Sequence, residues 1–287
     1  MPELPEVETM CRCVAPAVGC RIVGLLQPRR KLQAIQLSPP LAEFRRGVRG
    51  RRIAAVERLG KRVVLALDDG RRVVLEPRMS GLVLLADPPN RSHLRLVFRL
   101  AGGRAAELLF WDQRGLGVVS LVDEAEFARR FGPQKLGPDA LTISAAELRR
   151  RLGGSRRPVK VALLDQKALV GVGNLYASEI LHRAKVYPGV PCCQLRAEQW
   201  GKVHAAMRTV LRLAIRHQGS TLGDGTYRIA RNRPGDFQLM HRVYQRHGAP
   251  CVQCGRAEIV RIVQAQRSTF FCPACQRRPP PARGRRQ

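Results

Sequence analysis

Two cysteine pairs near the C-terminal end constrain this chain more than any other feature: Cys251-x2-Cys254 and Cys272-x2-Cys275, with 17 residues between them. Each Cys-x2-Cys bend places two sulfurs on one side of a tight turn, and two bends complete a tetrahedron, the spacing of a four-thiolate zinc ribbon. Gly255 suits the turn after the first pair, and Pro273 lies inside the second. The plain alternative is four buried or redox-active cysteines. One Zn2+ held by Cys251, Cys254, Cys272 and Cys275 has no open position for water, so the metal is structural and any chemistry comes from elsewhere. Between the pairs, residues 259–263 read as a strand and 268–271 as its hairpin partner, with Arg267 near the turn. There Arg267 is either a solvated charge or a finger reaching a phosphate.

Nine cysteines are an odd number for a disulfide framework, and the other five are Cys11, Cys13, Cys20 and the adjacent Cys192 and Cys193. No apolar stretch approaches membrane-spanning length, and the start MPELPEVETM is acidic and proline-bearing, unlike a signal peptide. The expectation is an intracellular, cytoplasmic protein without a membrane partner, whose thiols bind metal or pack as small apolar groups. Lys and Arg number 51 against 22 Asp and Glu, a net charge of +29. That excess implies a polyanionic partner, with nucleic acid the default, although a solvated Arg-rich surface would carry the same charge. Charge therefore argues for binding and is silent on catalysis.

With 287 residues the chain can build two domains, each with its own core. After Pro5, Val7, Met10, Cys11 and Val14 follow a helical stripe that Pro16 and Gly19 end. Strand signals then dominate to about residue 122. Residues 62–67 and 71–75 flank an Asp68-Asp69-Gly70 turn. In 93–100, Leu94, Leu96, Phe98 and Leu100 alternate with His93, Arg95 and Arg99, and Gly102-Gly103 turns that strand into 105–111. Strands without intervening helices predict a β-sandwich or barrel, with one helix leading in. Beyond Gly137-Pro138 the signals turn helical. Ser144-Ala-Ala-Glu147 reads as a capping box opening a helix that Gly153-Gly154 closes, and another helix is predicted over 158–167. Gly171-Val172-Gly173 breaks it, and helix resumes from Leu175 towards Ala184. A long helix buries Trp200, Val203, Met207, Val210, Leu211, Ala214 and Ile215 and stops at Gly219. Residues 222–238 read as a mobile loop, and the tail QRRPPPARGRRQ as disordered.

Three blocks carry a family resemblance. Pro2-Glu3-Leu4-Pro5-Glu6-Val7-Glu8 resembles the start of the formamidopyrimidine-DNA glycosylase and endonuclease VIII family, and is closest to the first branch. Gly171-Val172-Gly173-Asn174-Leu175-Tyr176-Ala177-Ser178-Glu179 resembles its helix–two-turn–helix segment, and Gln266-Arg267-Ser268-Thr269-Phe270-Phe271-Cys272 the end of its zinc finger. In the right order, these blocks span essentially the whole chain. The resemblance implies an α+β multidomain protein: an N-terminal helix plus β-sandwich over 1–138, a helical helix–two-turn–helix DNA-binding domain with a lesion loop over 139–240, a zinc finger over 241–276, and a basic tail over 277–287. It implies a monomeric base-excision-repair enzyme near a bacterial nucleoid, acting on double-stranded DNA that contains oxidised bases or abasic sites.

The same resemblance assigns roles. With Met1 removed, the Pro2 nitrogen changes from a tertiary amide to a secondary amine, whose pKa of about 8 leaves a neutral, reactive fraction. It is the nucleophile, and Glu3 the general acid at the sugar ring oxygen. Glu6 is a local support, or simply a first-turn carboxylate. Lys61 matches the family's phosphate-gripping lysine. Asn174, at a helix start after Gly173, suits a phosphate contact, and Arg267 joins them. Met79 and Arg114 match void-filling residues, although a methionine on a strand is more often core. Lys160 matches a position near the lesion pocket, with an exposed helix lysine as the plain alternative. Departures fall at Glu76-Pro77-Arg78, Gly115, Leu116 and Asp236, in parts that recognise the lesion and the opposite base. Removal of oxidised purines leads. An endonuclease VIII-like preference for oxidised pyrimidines and a non-catalytic zinc-finger DNA binder are the alternatives.

Overall fold

The computed structural model describes residues 2–28, 34–223, 225–229 and 232–279. The expected disorder of the tail therefore lies outside the described residues from position 280 onward. The chain divides into two compact units, Met1–Leu136 with Leu213–Leu239, and Gly137–Arg212 with Met240–Gln287. No helix among the described residues is long and apolar enough to cross a membrane.

The first unit opens with α1 (Leu4–Val14), whose Val7, Met10, Cys11 and Val14 are buried as their spacing predicts. Two sheets follow. One orders β1 (Arg21–Leu26), β7 (Leu94–Ala101), β8 (Glu107–Asp112) and β6 (Gly81–Leu84). The other orders β2 (Gln36–Ser38), β9 (Val118–Val122), β5 (Arg72–Glu76), β4 (Arg62–Leu67) and β3 (Ile53–Leu59). Leu96, Phe98, Leu108 and Phe110 from the first sheet share one core with Val63, Leu65, Val73 and Leu75 from the second. Each such side chain contributes roughly 1.5–3 kcal/mol on full burial. The expected β4–β5 hairpin is present, with Gly70 at φ +84° in its turn.

Three local expectations need correction here. One helix does interrupt the strands, and a second follows the last of them. α2 (Leu41–Val48) buries Phe44 and Val48, and Phe44 meets Phe98 edge-on at 6.4 Å. α3 (Glu124–Phe131) starts at Asp123, whose side chain accepts from Glu126 N at 2.8 Å. Nor is Arg95 on a solvent face: a register shift between Leu94 and Leu96 turns it inward, and it is 6% exposed. Its Nε donates to Asp112 O at 2.7 Å, so the inward turn is satisfied by hydrogen bonding.

In the second unit, α4 (Ala145–Leu152) begins at Ser144, whose Oγ accepts from Glu147 N at 3.1 Å. The Glu147 carboxylate pairs with Arg150 and Arg151 at 2.6 Å. The third correction concerns 158–167, where only α5 (Val159–Ala162) is helical. Asp165 accepts from Lys167 N, and the Gln166 amide holds Leu164 O, Val172 O and Gly171 N. Such side-chain bonds offer the backbone an alternative to continued helix. α6 (Asn174–Ala184) and α7 (Ala197–Arg216) follow, and α7 buries the predicted stripe from Trp200 to Ile215. Gly219, at φ +77°, terminates it with its N–H on Ala214 O. The segment 222–238 contains no α-helix or strand among its described residues, and positions 224, 230 and 231 lie outside them. β10 (Val260–Gln264) and β11 (Arg267–Phe271) form the hairpin between the cysteine pairs.

Glu179 on α6 anchors the segment that leads to this hairpin. It is 3% exposed, and its carboxylate accepts from the N–H groups of Arg242, Val243 and Tyr244 at 2.8–3.1 Å. Burial pushes its pKa up, against the pull of those three donors. Glu179→Ala should leave three backbone donors without an acceptor. At about 1–3 kcal/mol for each unsatisfied group, a loss of about 3 kcal/mol or more is expected on denaturant unfolding. A loss below about 1 kcal/mol would show that water replaces the carboxylate.

Candidate functional site

The first cluster gathers around the start of α1. Pro2 is buried and precedes Glu3, the N-cap of α1, which is 3% exposed. Met1 lies outside the described residues. Glu3 N donates to Glu6 Oε2 at 2.8 Å, while Ser220 N donates to Glu6 Oε1 at 2.8 Å. Glu6 therefore acts as a structural support from within the first turn, joining the N-terminus to the segment that leaves α7. Gly219 is needed beside it. A Cβ there would stand 2.7 Å from Glu6 Oε1, at a φ that disfavours L side chains. Tyr227 closes the same corner by donating to Gln218 O at 2.9 Å. Burial, and then the charge of Glu6, pushes its hydroxyl well above the ordinary range, which keeps it a donor.

α1 packs against β3, β4 and β6. The β3–β4 turn is Gly60-Lys61, with Gly60 at φ +59° and Lys61 half-buried. Arg58 fixes that turn. Its Nε donates to Glu8 Oε2 at 2.9 Å, and a second guanidinium N–H donates to Gly60 O at 3.2 Å. Sequence reasoning missed this Glu8–Arg58 pair, because a helix carboxylate and a strand arginine 50 residues apart carry no joint signal. Met79 precedes β6 and is 38% exposed; Arg114, on the loop between β8 and β9, is exposed, as is Leu116 at 38%. The departure Glu76 is engaged by Arg62 at 2.9 Å.

The second unit gathers the remaining residues. Asn174 opens α6 after Gly173, and its amide donates to Ser268 O at 3.0 Å. Lys160 is fully buried, so it is no surface lysine, and its Nζ donates to Asn174 Oδ1. Arg267 is exposed at the start of β11, after the left-handed pair Ala265 and Gln266 at φ +45° and +59°. Its neighbour Ser268 accepts from Arg261 Nε at 2.9 Å. Lys160, Asn174 and the Arg267 hairpin thus form one connected structure. Gln166 shapes the loop before α6, which sequence did not reveal; only its place before the Gly171-Val172-Gly173 break could have pointed to it.

Cys251, Cys254, Cys272 and Cys275 bring their sulfurs within 4.8 Å of one another. Cys251 and Cys275 are 3.9 Å apart, and Cys254 and Cys272 3.7 Å. A tetrahedral zinc with Zn–S bonds of about 2.3 Å requires sulfurs about 3.8 Å apart, so the residues fit one zinc. These four would hold the ion, which supplies cross-linking of the two bends and no reaction chemistry. Few apolar residues support the finger besides Val243, Ile259 and Phe270. Chelation should therefore release one zinc per chain and unfold the finger, read as loss of near-UV dichroism from Tyr187 and Tyr244, whose rings meet Phe271 and Phe270. An unchanged spectrum after complete removal would contradict a structural metal.

The comparisons agree with this arrangement. The family profile described as Formamidopyrimidine-DNA glycosylase N-terminal domain matches residues 1–119, and the Formamidopyrimidine-DNA glycosylase H2TH domain matches 132–225. The zinc finger found in FPG and IleRS matches 248–278. The formamidopyrimidine-DNA glycosylase of Chloroflexus aggregans is 43% identical, over 96% of this chain and 98% of its own length. The crystal structure of the MutM (Fpg) protein from Thermus thermophilus superposes with a TM-score of 0.83 at 36% identity, covering 97% of this chain and all of that one. A Lactococcus lactis Fpg in complex with abasic-site DNA also matches at 0.83, with 28% identity over 96% of this chain and 100% of that one. With three profiles in order and a relative matched end to end, this chain belongs to the formamidopyrimidine-DNA glycosylase family.

Proposed function

We propose that the chain is a bifunctional DNA glycosylase and abasic-site lyase of base excision repair that removes oxidised purines, 8-oxoguanine and formamidopyrimidines, from double-stranded DNA. The observation that carries this reading is the buried start of α1, where Pro2 and Glu3 are held by a carboxylate that bonds the Glu3 N–H. Once Met1 is removed, the Pro2 amine attacks C1′ of the damaged nucleotide. The C1′–N bond breaks and the base leaves with a proton. Glu3 protonates the ring oxygen as the sugar opens, giving an iminium ion between Pro2 and C1′. The iminium acidifies the C2′ proton. Its loss expels the 3′ phosphate, and a second elimination expels the 5′ phosphate.

The remaining residues bind and orient. Residues 1–138 carry the chemistry and the Lys61 grip, while the helical part over 139–240 and the finger over 241–276 supply Asn174 and Arg267. The Asn174 side chain is engaged by Lys160 and Ser268, which favours a positioning role for Lys160 and leaves the N–H groups at the start of α6 to meet phosphate. Met79 and Arg114 fill the space vacated by the extruded nucleotide, whose extrusion costs a few kcal/mol. The chain acts as a monomer in the cytoplasm, on nucleoid DNA.

Borohydride should trap the mature protein on duplexes carrying 8-oxoguanine or an abasic site, and more weakly on thymine glycol. A chain extended by one residue before Pro2 keeps every side chain but has no free imino nitrogen, so it should form no adduct. An adduct that survives the extension would overturn Pro2 as nucleophile, and stronger trapping on thymine glycol would move the substrate to oxidised pyrimidines. Glu3→Gln should slow excision by about 100-fold or more with duplex affinity kept. If about six phosphates are neutralised, affinity should fall with salt on a log–log slope near about −5. A flat dependence would contradict the electrostatic grip.

A further inference from the structure

We propose that Ser80 and Asp112 are positioning residues that latch the Met79 turn to the Arg114 loop, so that both side chains enter the duplex as one preformed wedge. The latch rests on the glycosylase reading above and adds to it what holds the wedge. Asp112 ends β8, opposite Gly81 at the start of β6, and is wholly buried, as is Ser80 to within 2%. Ser80 Oγ donates to Asp112 Oδ1 at 2.6 Å and accepts from Arg114 N at 3.0 Å. The same Oδ1 lies 3.3 Å from Arg114 N, and Oδ2 accepts from Gly117 N at 2.7 Å. One carboxylate therefore closes both ends of the 113–117 loop and holds the residue next to Met79.

The roots of the wedge are fixed from two further sides. Arg95 reaches across from β7 to Asp112 O at 2.7 Å and Gln113 O at 3.1 Å. Gly81 and Gly117 admit close approach. A Cβ on the first would stand 2.6 Å from Pro77 O, and one on the second 2.6 Å from Phe110 Cζ. Gly115 adopts φ +67°, so any larger side chain would be strained there. Above these buried roots the tips are open: Met79 and Leu116 are each 38% exposed, and Arg114 is exposed. A buried carboxylate is unfavourable unless hydrogen-bonded, and this one is satisfied by a hydroxyl and backbone N–H groups from the two segments that carry the tips. Two loops held at fixed separation before contact need not be ordered during extrusion, which preserves the binding energy for displacing the base.

The test uses full-length, zinc-loaded Ser80→Ala and Asp112→Asn proteins. Single-turnover excision of 8-oxoguanine from a duplex requires the wedge, whereas strand cleavage at an abasic site in a single-stranded oligonucleotide has no base stack to refill. Both variants should lose duplex excision on the order of 10- to 100-fold and keep single-strand cleavage within about twofold. Adding Ser80→Ala to a Met79→Ala, Arg114→Ala background should change duplex excision by less than about twofold, since the tips it positions are gone. Unchanged duplex excision, an equal fall in both activities, or a full further loss in the triple variant would each overturn the latch. If the unmodified protein fails to cleave the abasic strand, the enzyme reading falls and the latch with it. Normal cleavage beside unaltered variants sinks the latch alone.

Discussion

The Glu6 carboxylate, shared between the N–H groups of Glu3 and Ser220, is the contact on which the placing of the proposed nucleophile depends. Chain termini ordinarily fray, and a nucleophile on a frayed end would sample many orientations. Here one buried carboxylate ties the residue after Pro2 to Ser220. Hydrogen bonds to a charged group contribute about 1.5–3 kcal/mol each, enough to offset a burial that would otherwise expel the charge. Glu179 repeats the device in the second unit with the N–H groups of 242–244, and Asp112 repeats it beneath the Met79 turn. With 22 acidic residues against 51 basic ones, these three acids act inward on backbone donors, where they do not set negative charge against a polyanion.

This division separates chemistry from metal. The zinc site is saturated by sulfur and braces a hairpin, while the proposed reaction needs only an imino nitrogen and a carboxyl group at the other end of the sequence. Connections of the same kind run through the second unit, from Lys160 to Asn174 to Ser268, so the proposed grip of Arg267 is tied to α6 as well as to the ion.

Periodic and spaced features were legible in the sequence. The stripe of α1, the Asp68-Asp69-Gly70 hairpin, the long α7 and the two cysteine pairs each impose a regular signal that tertiary packing then used. Short helices were not legible: α2 and α3 have eight residues each, too few for a repeating stripe, although Asp123 before Glu124 and Glu126 was a capping signal in plain view. The overlong helix over 158–167 failed for a related reason, since Asp165 and Gln166 bond the backbone locally. Arg95 was read opposite the apolar face of its strand, and Lys160 left an exposed position open as the alternative to one near the lesion pocket. Both are buried on partners 17 and 14 residues away that no periodicity reveals. The proposed reaction was read from Pro2 and Glu3 at the N-terminus, whereas Glu6–Ser220, 214 residues apart, needed the fold.

Peptide mapping by mass spectrometry of the protein reduced onto abasic DNA addresses the central claim most directly. The predicted result is a deoxyribose remnant on the nitrogen of Pro2, in an N-terminal peptide that lacks Met1. A remnant on Lys61, Lys160 or any other side-chain amine, or a modified peptide that still begins with Met1, would contradict it.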